Sequence, residues 1–194
     1  MIDTKAELPS LAELKESQSF RYISPTEVFD TLSNFGYGQA KMLVTALYLS
    51  EDGKYGVGLL AVTDAMTRDH FNVLQGVEQV EALGQVYLLM RIFKGDVPEG
   101  QRPLLTDIED ATFTGTVLAG AMLNLLVEDL SNDEVDFKGR GVVYSGNRAI
   151  SSVTSMSGVI MTNEKYQQVM RIIEKRQEKD HPVFDFQDET VVDA

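Results

Sequence analysis

Two periods alternate along the chain. The runs KMLVTALYL (41–49) and YGVGLLAVTD (55–64) are short, apolar and rich in strand-forming residues. SEDGK between them carries an Asp-Gly pair of the hairpin type. From about Gly76 to Lys94 the run lengthens to that of a helix, apolar at Val77, Val80, Leu83, Val86, Tyr87, Leu88, Leu89, Met90, Ile92 and Phe93. At about 100° per residue these positions cover nearly the whole circle, which predicts a helix surrounded by protein. Gly84 lowers helix propensity there and predicts close contact with a neighbouring backbone.

The loop GDVPEGQRP separates that helix from strand candidates at 104–114, 116–130, 134–145 and 148–161. SND and SGN turns divide the last three, so an antiparallel meander is predicted. Upstream, SPTEVFDTLSNFG predicts a helix: Ser24 caps, Pro25 suits the first position, Glu27 completes a capping box and Gly36 stops it. LAELKES is a shorter amphipathic pattern. TNEKYQQVMRIIEKRQEK predicts a terminal helix capped by Thr162 or Asn163. One long helix among consecutive hairpins does not suit a doubly wound parallel sheet. The expected class is α+β, an antiparallel sheet wrapped around one long central helix.

Within that helix Glu78, Glu81 and Gln85 form a narrow polar strip. The strip has two readings. It can reach solvent or satisfy a nearby backbone group. Alternatively Glu81 is a general acid, its proton retained more easily where burial disfavours the charge. His70, one of two histidines, stands just before the helix. It is either a surface or structural residue, or it neighbours backbone N–H groups able to bind a developing oxyanion.

Composition narrows the chemistry. The 194 residues suit one domain with an appendage, and 43% of them are hydrophobic, enough for a sizeable core. No cysteine is present, which excludes disulfides, thiolate metal sites and cysteine nucleophiles. The N-terminal stretch lacks the pattern of a signal peptide, and Glu81, Gln85 and Arg91 interrupt the longest apolar run, so no membrane span and a cytoplasmic location are expected. A net charge of −13 argues against general nucleic-acid binding. Part of that charge lies in DFQDETVVDA, which reads as a solvated tail.

HF…GVEQVEALGQ resembles the signature of the hotdog-fold 3-hydroxyacyl-acyl-carrier-protein dehydratases of the FabZ type. His70-Phe71 match the family's His-Phe-Pro-Gly loop, Gly76-Val77 its helix start, and Glu81-Ala82 and Gln85 its helix. Downstream, DIEDATFTGTVLAGAML is similar to the family's ARF strand, with Ala111, Phe113, Val117 and Gly120 in matching places. YSGNRAISSVTSMSGVIM looks like its last strand. Asn72 replaces the family's proline, the loop from His70 to Glu81 is shorter, and TGTVLAGA lacks the basic residue, proline and aspartate of the family turn. The resemblance spans about 19–162, which sets off an N-terminal extension (1–18) and a C-terminal helix with acidic tail (163–194).

The resemblance implies an enzyme that eliminates water from a 3-hydroxyacyl thioester to give a trans-2-enoyl thioester, without metal or cofactor. His70 would be the base, Glu81 the acid, and N–H groups near Gly76 the oxyanion donors, with Phe71, Val77 and Gln85 lining the substrate site. Glu rather than Asp at position 81 favours plain dehydration over isomerisation. The family's site pairs the His of one subunit with the Glu of another, so at least a homodimer is implied, its sheets joined edge to edge. The substrate would ride on acyl carrier protein or coenzyme A, met by a basic patch drawn from Arg91, Lys94, Arg102, Lys138, Arg140 and Arg148. A hotdog acyl thioesterase and a non-catalytic binding or assembly protein are the competing expectations.

Overall fold

The order of elements follows the two sequence periods. In a computed structural model, which describes residues 8–131 and 136–180, the central helix α4 runs Gly76–Lys94, ended by Gly95 in the left-handed conformation (φ 83°). Before it come helix α1 (Leu11–Ser17), strand β1 (Phe20–Ile23), helix α2 (Pro25–Asn34), strands β2 (Ala46–Ser50) and β3 (Tyr55–Ala61), and one short turn of helix, α3 (Asp64–Thr67). After it come β4 (Gln101–Phe113), β5 (Met122–Asp129), β6 (Asp136–Ser145), β7 (Arg148–Thr162) and helix α5 (Asn163–Asp180). The acidic tail lies outside the described residues, as does part of the SND turn.

The strands form one sheet in the order β1-β2-β3-β5-β6-β7-β4, every neighbouring pair antiparallel. Helix α4 lies across one face. Its Leu83, Val86, Leu89 and Met90 are fully buried, each worth about 1.5–3 kcal/mol of transfer free energy. The helix can lie so close because the strands beneath it carry glycines. A side chain at Gly56, Gly58 or Gly141 would collide with Met90, Val86 or Leu83 respectively, and one at Gly139 would crowd the Tyr87 ring. The opposite face of the sheet takes α1, whose Leu14 is buried beside Tyr55 and Leu126.

Local signals explain most boundaries. Ser24 and Glu27 make the expected capping box on α2, and Gly36 beyond it has φ 86°. Ser10 and Glu13 make a second box on α1. Thr162 caps α5 by accepting the Lys165 N–H.

Several expectations are corrected. The strand expected from residue 41 starts at Ala46, because Gln39–Lys41 forms a 3-10 turn. The strand expected from 116 starts at Met122, because the chain turns at Gly120 (φ 83°), whose N–H donates to the Val62 carbonyl. Strand β1 had no clear pattern in its four residues. Gly84 meets no backbone: the nearest group to a side chain placed there is a Leu105 methyl at 3.5 Å, an ordinary contact.

Candidate active site

Helix α4 is buried on most sides but not all. Glu81 is exposed, Val77 is 67% exposed, and Glu78 and Leu88 are half-buried on the same side. This side forms the floor of a cleft of about 680 Å³. The C-terminal end of α2 with the turn after it (Phe35, Gly36, Tyr37), the start of β4 (Arg102 to Leu105) and Tyr166 of α5 form the walls. Glu81 is therefore neither trapped in the core nor on an open surface. Of the polar strip, Gln85 satisfies nearby backbone groups and Glu81 reaches solvent through the cleft, so Glu81 lacks the burial that the general-acid reading called on.

Gln85 and Tyr37 flank Glu81. Gln85 is fully buried and its side chain makes four hydrogen bonds. Its Oε1 accepts from Leu43 N–H at 2.9 Å and Val44 N–H at 3.3 Å. Its Nε2 donates to the Lys41 carbonyl at 2.7 Å and to Glu81 Oε1 at 3.2 Å. Gln85 thus ties the segment entering β2 to the helix and orients the carboxylate. It is one turn beyond Glu81 and behind it, so its role is positioning. Tyr37 places a phenol beside Glu81; burial, and then the charge of Glu81, raise its pKa above the ordinary value, so it stays protonated. Tyr37 follows the Gly36 stop and carries no motif, so sequence reading missed it.

The other expected residues gather at the helix start. His70 is exposed at a tight turn, its N–H bonded to Thr67 carbonyl and its carbonyl to Val73 N–H. Phe71 and Asn72 after it are both left-handed, φ 55° and 60°, an uncommon state for non-glycine residues. Asn72 N–H is held by the Thr67 carbonyl. The turn projects Phe71 into solvent at 98% exposure. Glu81 lines two cavities, and His70 lines neither. Base and acid candidates thus do not share a cleft within one protomer.

The first-turn N–H groups at Gly76 and Val77 have no intrahelical acceptor, as at any helix start. Gly76 is packed by the Phe113 ring, which a side chain there would strike. Glu78 accepts the Gln75 N–H at 3.1 Å and so already places negative charge at this turn. Around it stand apolar groups in water: Phe71, Val77, Phe113 at 48% and Leu118 at 57% exposure. Strand β4 continues this surface. Its 13 residues pair only with β7 among the described residues, and its second half is exposed throughout.

Three of the six members of the expected basic patch are paired with carboxylates, whereas Lys138 and Arg148 are exposed. Arg91 is buried against Asp96 and Asp129, Lys94 pairs with the same two carboxylates, and Arg140 pairs with Glu128 at 2.6 Å. These charges neutralise buried acids and do not face a partner. Arg102 alone of the six lines the Glu81 cleft. Among the described residues no group of histidines and acids is arranged to hold a metal ion, and no helix is long and apolar enough to cross a membrane.

A seven-stranded antiparallel sheet carrying one long helix on one face is also found in solved structures. The fluoroacetyl-CoA thioesterase FlK superposes with a TM-score of 0.53 at 18% identity, over 61% of this chain and 93% of that one. A thioesterase superfamily member from Thermus thermophilus, TTHA0967, gives 0.53 at 16% over 64% and 93%. The dehydratase heterocomplex ApeI:P from Xenorhabdus doucetiae gives 0.59 at 11% over 69% and 92%.

This chain has the hotdog fold. The α+β architecture expected from the helix signature is therefore observed. No protein-family model matches the sequence, and no curated protein does. At such identities the likeness is one of fold, and this hotdog chain's reaction must be argued from its cleft.

Proposed function

We propose that the protein acts on acyl thioesters and, more finely, that it dehydrates a 3-hydroxyacyl thioester at a site completed by two protomers. The observation that carries the proposal is Glu81: a carboxylate oriented by Gln85 on the floor of an otherwise largely apolar cleft. That hotdog neighbours include thioesterases and a dehydratase supports the substrate class.

In the proposed reaction a neutral imidazole, His70 of a second copy, removes the proton alpha to the thioester carbonyl. Glu81 in its protonated form gives its proton to the departing 3-hydroxyl, which leaves as water. The proton taken by His70 returns to Glu81 through solvent, so the cycle needs no other reactant. The enolate oxygen would take the free first-turn N–H groups at Gly76 and Val77, with the helix dipole behind them. Phe71 and Val77 would contact the acyl chain. The exposed apolar collar around the helix start and the uncovered edge of β4 support a homodimer, in which that edge finds a partner.

Complementation tests the shared site. His70→Ala and Glu81→Gln are each expected to lower dehydration of a 3-hydroxyacyl thioester by about 10²–10⁴-fold. Unfolding and refolding the two variants together should restore roughly a quarter of wild-type activity, because half the dimers are mixed and each mixed dimer has one intact site. Restoration of nothing, with both homodimers folded, would sink the shared-site reading. The thioesterase reading is favoured by one observation, that Glu81 sits in the cleft without His70. It predicts release of free thiol that survives His70→Ala and fails in Glu81→Gln.

A further inference from the structure

Two cations, Lys41 and Arg102, line the Glu81 cleft. Among the described residues neither forms an ion pair, although the chain has 30 acidic residues against 17 basic ones. The contrast with Arg91, Lys94 and Arg140, each matched to a carboxylate, is direct.

Arg102 is nevertheless held firmly, by neutral groups. Its Nη1 donates to the Phe35 carbonyl at 2.7 Å and its Nε to Asn163 Oδ1 at 2.7 Å. Its guanidinium stands 5.5 Å from the centre of the Tyr166 ring. Gly36 makes room for it, since a side chain there would come within 3.2 Å of Nη1. These contacts use two of the five N–H donors of a guanidinium and supply no countercharge. An oriented, half-buried, unneutralised guanidinium with spare donors suits a carboxylate or phosphate.

Arg102 and Glu81 line the same cleft, so a ligand lying in it is within reach of both.

We propose that Arg102, assisted by Lys41, recognises an oxyanion carried by the ligand of the Glu81 cleft, either a carboxylate on the acyl group or a phosphate of the carrier arm. The proposal rests on reading that cleft as a thioester site, and deepens it by naming what selects the ligand.

Calorimetric titration of the full chain tests it, with four probes: butyryl-CoA, glutaryl-CoA, and the N-acetylcysteamine thioesters of butyrate and glutarate, which lack phosphate. Wild type should bind at least one anionic probe about tenfold more tightly than butyryl-N-acetylcysteamine, and Arg102→Gln should erase that preference while Arg102→Lys keeps part of it. Loss confined to the two glutaryl probes assigns the acyl carboxylate; loss confined to the two coenzyme A probes assigns the carrier phosphate. Equal affinity of wild type for all four overturns the proposal, and this outcome does not depend on how any variant folds. So does an Arg102→Gln variant that binds every probe within twofold of wild type. Anion selectivity without any turnover would remove the dehydratase reading and leave this one standing.

Discussion

Replacing Gln85 by methionine tests the structural logic beneath the candidate site. Methionine keeps the length and volume of the side chain, so cavity effects are small. The change removes the four hydrogen bonds described above. Leu43 and Val44 are 6% and 3% exposed, so their N–H groups lose the acceptor without gaining water. An orphaned buried N–H costs about 1–3 kcal/mol, and the longer Val44 bond belongs at the low end. The Lys41 carbonyl belongs to an exposed residue and can turn to solvent. The expected loss is therefore about 2–4 kcal/mol. With a urea m-value in the upper part of the usual range of about 1–3 kcal/mol per M, the midpoint should fall by about 1 M at fixed protein concentration. A fall below about 0.3 M at unchanged m would refute the claim that Gln85 fastens the segment entering β2. Gln85→Glu sharpens the comparison. It keeps an acceptor for both N–H groups but sets a carboxylate against Glu81 and the Lys41 carbonyl, so its loss of stability should shrink as pH falls through the carboxylate range.

Gly84→Ala should stabilise the fold by about 0.5–1 kcal/mol, seen as a rise in melting temperature of about 1–4 °C, because the added methyl meets only a Leu105 methyl at 3.5 Å and the helix loses a glycine. Asp129 should shape the acid limb of stability. Burial works to raise its pKa, but hydrogen bonds from Lys94, Ser131 and Tyr87 outweigh burial and hold it below the ordinary 3.8. A lowered folded-state pKa gives stability that is complete above the unfolded value and lost as pH falls from about 4 through the folded one. Asp129→Asn should therefore reduce stability at pH 7 and flatten that limb, and equally steep limbs in denaturant titrations of both proteins would contradict the assignment.

The long elements were legible because their signals are local and repeated. The helix Gly76–Lys94 was read to its ends, and the antiparallel meander β5-β6-β7 followed from turn residues between strand-like runs. Strand β1 was not, because its four residues owe their conformation to pairing with β2, a tertiary fact. The site was legible in part. The strip of Glu78, Glu81 and Gln85 could be placed on one side of the helix, but periodicity could not say that Gln85 would be spent on backbone groups of another segment. Glu81 was read as a carboxylate within a buried helix. Ten of the helix residues are buried, yet the cleft opens along the side that carries Glu81. Tyr37 and Tyr166 come to Glu81 from distant parts of the chain and leave no pattern beside it.

The cleft is also a composite in a sense that bears on its chemistry. Glu81, Gln85 and Tyr37 belong to the region whose sequence resembles a dehydratase, and the bond between Gln85 and Glu81 does not involve α5. Arg102 begins β4 in that same region, but two of its three braces, Asn163 and Tyr166, come from α5, beyond the resemblance. Asn163 is tied back to the sheet through its N–H, which donates to the Gly100 carbonyl, so the brace is fixed to the strand it supports. The arrangement separates two tasks. The carboxylate is set by the helix and by the segment entering β2, whereas the orientation of the cleft's guanidinium depends on the C-terminal helix. A hotdog core could therefore keep one reaction at Glu81 while changes in the first turn of α5 alter which charged ligand it accepts, since neither set of hydrogen bonds passes through the other.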